Sequence, residues 1–134
     1  MDVRRVAVYG SLMGVTVAAG LALRFAPLGL PPFAVKYGGS TMWAVMIYWV
    51  LALPLPKWQP ARLALLAGVI ATAVELLKLY RSPGLDAFRL TLAGVLLLGR
   101  YFSVWDLVAY WMAIACAAVM DELVLRRGEV ERLA

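Results

Sequence analysis

Long apolar runs alternate with short polar connections along most of the chain. A helix rises about 1.5 Å per residue, so roughly 20 apolar residues are enough to cross the hydrocarbon layer of a membrane. The pattern therefore predicts an all-α, polytopic integral membrane protein. We expect a single membrane domain of residues 1–134 with four transmembrane helices, at about residues 6–25, 37–55, 62–80 and 101–125.

The first apolar run carries small residues at every fourth position, namely Gly10, Gly14 and Ala18. This spacing lets two helices approach each other closely. We expect the small face to pack against the protein's own helices, and a homodimer interface is the alternative. The run is longer than the roughly 7–15 apolar residues of a signal peptide, which favours a retained first helix.

A shorter apolar stretch, Leu90 to Gly99, lies between Arg89 and Arg100 and follows the helix-breaking sequence of residues 82–84. It is too short to cross a membrane as a helix. We therefore predict a re-entrant or interfacial helix over about residues 87–99. Half-insertion is the favoured arrangement, and the sequence leaves a full crossing open.

Composition supports a membrane location. The 134 residues are 64% hydrophobic and 16% charged, whereas soluble domains are about 45–50% apolar and about 25% charged. The net charge of +5 comes from basic residues that lie singly or in pairs beside apolar runs. Because that placement is typical of loops touching anionic head groups, we expect contact with membrane lipid and no nucleic-acid binding.

Several kinds of chemistry are excluded by residue content. The chain has no histidine, and Cys116 is its one cysteine. Histidine-dependent triads, histidine-bound zinc and an intramolecular disulfide therefore cannot form. We assign no catalytic residue, metal or cofactor, and any catalysis would depend on carboxylates, lysine, arginine or tyrosine.

Ionisable residues concentrate between Glu75 and Asp106. Two helices joined by one loop have their adjoining ends on the same side, so these residues meet at one membrane face. An acid facing lipid costs about 2.5–3.5 kcal/mol at the membrane centre, so Glu75 and Asp106 should face inward, towards Arg89 or Arg100. Glu75 and Lys78 are three residues apart, and Asp106 and Tyr110 are four apart, so each pair shares a helical face. The candidate ligand-binding residues, which we name the charged patch, are Glu75, Lys78, Arg89, Arg100, Asp106 and Tyr110.

Two main roles for the charged patch remain open at this point, and a proton or ion pathway is a third. Its ion pairs could clamp the short helix to the third and fourth long helices. Alternatively, its cations could bind a phosphate or carboxylate while its acids orient those cations or accept from a hydroxyl or amine.

Three stretches of the sequence resemble a known family. They are residues 31–38 (PPFAVKYG), 75–80 (ELLKLY) and 99–110 (GRYFSVWDLVAY), together with Trp43-Ala44. They are similar to the small bacterial membrane proteins catalogued as domain of unknown function 2809. The Glu, Gly-Arg and Asp pattern of the later stretches also resembles VanZ-like membrane proteins, which are associated with glycopeptide-antibiotic resistance. These resemblances imply a bacterial multi-pass protein whose motif faces away from the cytoplasm, with no established biochemical activity.

Orientation follows from the distribution of lysine and arginine. With four crossings, the face that holds both termini carries more of these residues than the opposite face, by one. The positive-inside rule therefore predicts cytoplasmic termini in the bacterial inner membrane.

The functional hypothesis is that the charged patch binds a lipid head group, a lipid-linked intermediate or a membrane partner. One alternative is a lipid-modifying enzyme that uses Glu75 and Asp106 as a carboxylate pair. Another is an accessory or assembly subunit in which the ion pairs are purely structural. Membrane lipid is the expected partner, with another membrane protein or a second copy of the chain as further candidates.

Overall fold

The computed structural model describes residues 3–55, 57–97, 102–126 and 133, and this part of the chain contains helices and no strand. The prediction of an all-α protein is confirmed. The elements are α1 (Val3–Phe25), α2 (Pro32–Ala52), α3 (Pro60–Leu77), α4 (Pro83–Arg89), α5 (Leu92–Leu97) and α6 (Val104–Met120), which continues into a π-helical turn, Asp121–Arg126.

Prolines begin three of these helices. Pro32, Pro60 and Pro83 are the first residues of α2, α3 and α4. Proline suits this position because its missing N–H has no partner in the first turn of a helix anyway. α2 and α3 consequently start before residues 37 and 62, where the hydrophobic pattern placed them, since that pattern treats proline as a helix breaker.

The short helix predicted over residues 87–99 is divided in two. α4 ends at Arg89, and α5 begins at Leu92 after a turn. Gly94 allows a tight turn because it lies against the backbone of Phe88, where a Cβ would overlap the carbonyl oxygen. The hydroxyl of Thr91 accepts the Gly94 N–H at 3.1 Å and so caps α5. Residues 98 and 99 of the predicted helix lie outside the described residues.

The four long helices pack side by side. α1 packs against α2, while α2 and α3 both pack against α6 and against each other. Small residues line much of the interior and let the helices approach closely. Large side chains that are fully buried between the helices include Tyr48, Trp49, Leu63 and Ile114.

Large apolar side chains cover the outside of the bundle. Val15, Leu65 and Met112 are examples, and all three are mostly exposed. Within the described part of the chain, three helices are long and apolar enough to cross a membrane, Val3–Phe25, Pro60–Leu77 and Val104–Leu123. Contact of such a surface with lipid is favourable, whereas its contact with water is not. The fold therefore fits an integral membrane protein.

The small-residue face of α1 does not pack as expected. Gly14 and Ala18 are exposed, and a Cβ added to Gly10 or Gly14 would meet no atom within 4 Å. The expectation that this face packs against the protein's own helices is therefore wrong. α1 instead contacts α2 through other residues, with Gly38 of α2 against Leu23 of α1. The homodimer interface stays a prediction.

A buried acid closes the end of the bundle opposite Glu75. Asp121 accepts the hydroxyl of Tyr9 at 2.8 Å and the hydroxyl of Tyr48 at 2.6 Å. These two bonds tie α1 and α2 to the end of α6.

Candidate functional site

Glu75 lies in the last turn of α3 and is 0% exposed. Its Oε1 accepts the backbone N–H of Ser103 at 2.8 Å. Its Oε2 accepts from Lys78 Nζ at 2.6 Å and from the Tyr110 hydroxyl at 2.9 Å. Three donors, one of which is the buried counter-charge Lys78, therefore compensate the burial of this carboxylate.

The bond to Ser103 places Glu75 at the start of α6. Ser103 is the N-cap residue of that helix, and the N–H groups there have no partner within the helix. A negative charge at a helix N-terminus is also favoured by the helix dipole. Glu75 therefore joins α3 to α6, and its hydrogen-bonding capacity is largely used within the protein.

Asp106 has a less complete set of partners. It lies in the first turn of α6 and is 3% exposed. The Ser40 hydroxyl of α2 donates to its Oδ1 at 3.2 Å. This is its one side-chain hydrogen bond within the described part of the chain. The charge of Glu75 acts on the carboxylate, opposed by the charges of Lys78 and Lys36, and neither lysine forms an ion pair with it.

A cavity of about 990 Å³ lies beside Asp106, between α1, α2, α3 and α6. Most of its wall is apolar and includes Val17, Leu21, Val35, Met42, Trp43 and Met46. Its polar side chains are Thr16, Arg24, Lys36, Ser40, Lys78, Asp106 and Tyr110. Glu75 does not line this cavity.

Two exposed cations line the cavity, and we name them the basic rim. Arg24 is in the last turn of α1, and Lys36 is in the first turns of α2. Among the described residues neither of them has an acidic partner, although Lys36 lies over the Tyr37 ring at 5.3 Å. Lys78, by contrast, is buried and paired with Glu75. The basic rim can therefore accept an anion without breaking an existing ion pair.

Arg89 has a different role from the one expected. It is buried and donates to the carbonyl oxygens of Leu77 at 2.6 Å and Tyr80 at 2.9 Å, and to Asp86 Oδ1 at 3.0 Å. These bonds satisfy carbonyls at the C-terminal end of α3 and hold α4 against it. Among the described residues the cationic partner of Glu75 is Lys78 and not Arg89, while Arg100, the other expected partner, is untested.

The structure thus brings together four residues of the charged patch, Glu75, Lys78, Asp106 and Tyr110. Arg89 bonds to Leu77, Tyr80 and Asp86 instead, and Arg100 lies outside the described residues and stays a prediction. Sequence reasoning missed Arg24, Lys36 and Ser40 as site residues. The signal for the two cations was present, because four crossings place the loop after the first helix on the same face as Lys78.

The fold and the site define a small helical protein whose apolar helices fit a membrane protein, with a largely apolar cavity and charged side chains at one end. The chain belongs to the family described as protein of unknown function DUF2809, whose model matches residues 29–114. The predicted family is confirmed, and the VanZ-like resemblance stays a prediction. No solved structure matches the chain.

The matched range covers most of the site. It includes Lys36, Ser40, Glu75, Lys78, Asp106 and Tyr110, while α1, with Arg24, precedes it.

Proposed function

We propose that this protein binds a lipid with an anionic head group in the cavity beside Asp106. The head group contacts the basic rim of Arg24 and Lys36, and the hydrocarbon lies along the apolar wall. The observation that carries the proposal is the combination of an apolar cavity with two cations that lack an acidic partner among the described residues.

Each half of such a ligand matches one half of the cavity. Burying hydrocarbon is worth about 25 cal/mol per Å², and the cavity is large enough for part of an acyl chain. Phosphate oxygens accept charge-assisted hydrogen bonds from guanidinium and ammonium groups. A fully apolar ligand would leave the basic rim unused, and a fully polar one would leave the wall uncovered.

The Glu75 hydrogen bonds support a structural role for that half of the charged patch. They hold α3 against α6 and so shape one wall of the cavity. The enzyme alternative gains no support from this geometry, because Glu75 would have to give up bonds to three donors to act on a substrate. An accessory subunit with a membrane-protein partner stays an alternative.

We also propose four membrane crossings, with both termini in the cytoplasm of a bacterial inner membrane. α2 has 21 residues, and its polar residues Lys36 and Ser40 line the cavity instead of facing lipid. Exposed aromatic side chains suit the two membrane interfaces. Trp105 (70% exposed) and Tyr80 (61%) lie at the Glu75 end, and Trp58 (39%) lies at the opposite end.

Native mass spectrometry of detergent-solubilised protein tests lipid binding, with phosphatidylglycerol and phosphatidylcholine as probes. We expect the wild type to retain phosphatidylglycerol preferentially. The double variant Arg24→Gln/Lys36→Gln should bind it at least about tenfold more weakly, because it loses two charge-assisted contacts. Lys57→Gln/Arg62→Gln is the matched control, since it removes the same charge from exposed positions at the other end of the bundle.

A second variant tests the apolar half of the site. Gly39 lines the cavity, and a Cβ there would meet no atom within 4 Å, so Gly39→Leu should fill part of the cavity and weaken lipid binding with the basic rim intact. Displacement of the lipid by soluble glycerol phosphate would identify a free phosphate ligand instead. Equal lipid retention by the rim variant, its control and the wild type would refute the proposal.

A further inference from the structure

We infer that the cavity selects phosphodiester lipids whose head group carries a free hydroxyl, because Asp106 accepts a hydrogen bond from that hydroxyl while the basic rim holds the phosphate. This inference deepens the proposed function and rests on it. The juxtaposition that carries it is a buried carboxylate and two exposed cations along the same cavity.

Asp106 has acceptor capacity to spare. An ionised carboxylate offers about four acceptor positions, and the described residues fill one of them, through Ser40. Glu75, in the last turn of α3, accepts three hydrogen bonds. A buried carboxylate is costly unless its oxygens are hydrogen-bonded. A hydrogen-bond donor supplied by a ligand in the cavity would therefore offset part of the cost of burying Asp106.

The charges around the cavity favour a monoanionic ligand. Lys78 and Glu75 form an ion pair and neutralise each other. Among the described residues that line the cavity, two cations, Arg24 and Lys36, then remain against one acid, Asp106. A phosphodiester with a neutral hydroxyl adds one negative charge and balances this arrangement. A head group with the same single charge and no donor would balance it as well, so the hydroxyl is what separates the two.

A head group without a donor is penalised at Asp106. A methyl ester in place of the glycerol would exclude water from the carboxylate and return no hydrogen bond. Sites built to hydrogen-bond a ligand hydroxyl reject analogues that lack it for this reason. The preference for a hydroxyl-bearing head group therefore comes as much from the cost of leaving the Asp106 carboxylate without a donor as from the hydrogen bond to the hydroxyl.

The test compares phosphatidylglycerol with phosphatidylmethanol of identical acyl chains, in direct competition, by native mass spectrometry. Both lipids are monoanionic phosphodiesters, and only the first carries free hydroxyls. We expect the wild type to prefer phosphatidylglycerol by about tenfold, as for one hydrogen bond to a charged group. Asp106→Asn should reduce this preference to less than about threefold and still bind phosphatidylmethanol. Glu122→Gln, which removes the same charge from an exposed acid outside the cavity, should keep the wild-type preference.

The outcomes separate this inference from the proposed function. Equal binding of the two lipids by the wild type overturns the inference and leaves the proposed function standing. Binding of neither lipid overturns both. A wild-type preference that survives in Asp106→Asn also overturns the inference. Because the wild-type comparison stands without any variant, a folding defect in Asp106→Asn would not prevent the test.

Discussion

Glu75 and Asp106 are buried acids at the same end of the bundle, yet their surroundings give them different roles. Glu75 is bonded to α3 and α6 by three donors, and Asp106 borders the cavity with one donor from α2. The cost of burying a charge predicts that both face inward. The bonding partners of each one depend on how the helices pack, which sequence spacing alone does not determine.

At this scale we predict that Glu75→Gln is strongly destabilising. The change leaves the buried Lys78 ammonium without its paired carboxylate, and breaking a buried ion pair in this way costs about 3–5 kcal/mol. The free energy of unfolding in detergent, measured by chemical denaturation, checks this.

Two further variants show whether the ion pair is the cause. Glu75→Gln/Lys78→Met removes both charges and should recover about half of the loss or more. Glu122→Gln alters an exposed acid and should change stability by less than about 0.5 kcal/mol. A Glu75→Gln effect as small as that of Glu122→Gln would show that the pair contributes little.

At the scale of elements, the contact between α3 and α6 depends on the absence of a side chain at Gly68. The Trp111 ring lies over this glycine, so that a Cβ would overlap the indole. The indole N–H donates to Thr72 Oγ1 at 3.1 Å, which fixes the position of the ring. A large aromatic side chain thereby reaches the backbone of the neighbouring helix.

We predict that Gly68→Ala lowers stability by about 1–3 kcal/mol through overpacking, despite the higher helix propensity of alanine. The same substitution in a Trp111→Ala background should be neutral or stabilising, because the overlapping ring is absent. Gly14→Ala is the control, since its Cβ would meet open space and alanine gains up to about 1 kcal/mol of propensity there. Thermal unfolding followed by circular dichroism measures the wild type, the two Gly68→Ala proteins, Trp111→Ala and Gly14→Ala. Equal losses from Gly68→Ala in both backgrounds would contradict the role given to Trp111.

The elements also show what a hydrophobic pattern can and cannot predict. Apolar runs identify the long helices because membrane burial requires them, whichever partners they have. The starts at Pro32 and Pro60 were missed because proline breaks a helix when it lies in the interior but is favoured at the first helical position. The outward direction of Gly10 and Gly14 was missed for another reason, since spacing marks a small face without saying what covers it.

For the whole molecule, four crossings imply a definite pattern of exposure on the two sides of the membrane. We predict that Leu28→Cys and Gly84→Cys react with a membrane-impermeant maleimide added outside intact cells. Gln59→Cys should react only after the membrane is permeabilised. All three are made in a Cys116→Ser background, because Cys116 is the chain's one cysteine.

These positions separate the alternatives without changing any charge. If α2 did not cross, residues 28 and 59 would lie on one side and react together. If the orientation were reversed, Gln59→Cys would be the variant labelled from outside.

The site as a whole was predictable in part. Helix connectivity is enough to bring the ends of α3 and α6 together, and it gave Glu75, Lys78, Asp106 and Tyr110. The cavity was not predictable, because a void depends on how side chains from several helices fail to fill the space between them. Arg24 and Lys36 become candidate site residues only because they line that void.

The position of the cavity at one end of the bundle has a consequence for lipid supply. Arg24, Lys36 and Lys78 all lie at the end where Glu75 joins α3 to α6. In a bilayer, this end faces a single leaflet, and phospholipids cross between leaflets slowly without assistance. Under the proposed lipid binding, the direction in which the chain inserts therefore determines which leaflet's lipids can enter the cavity.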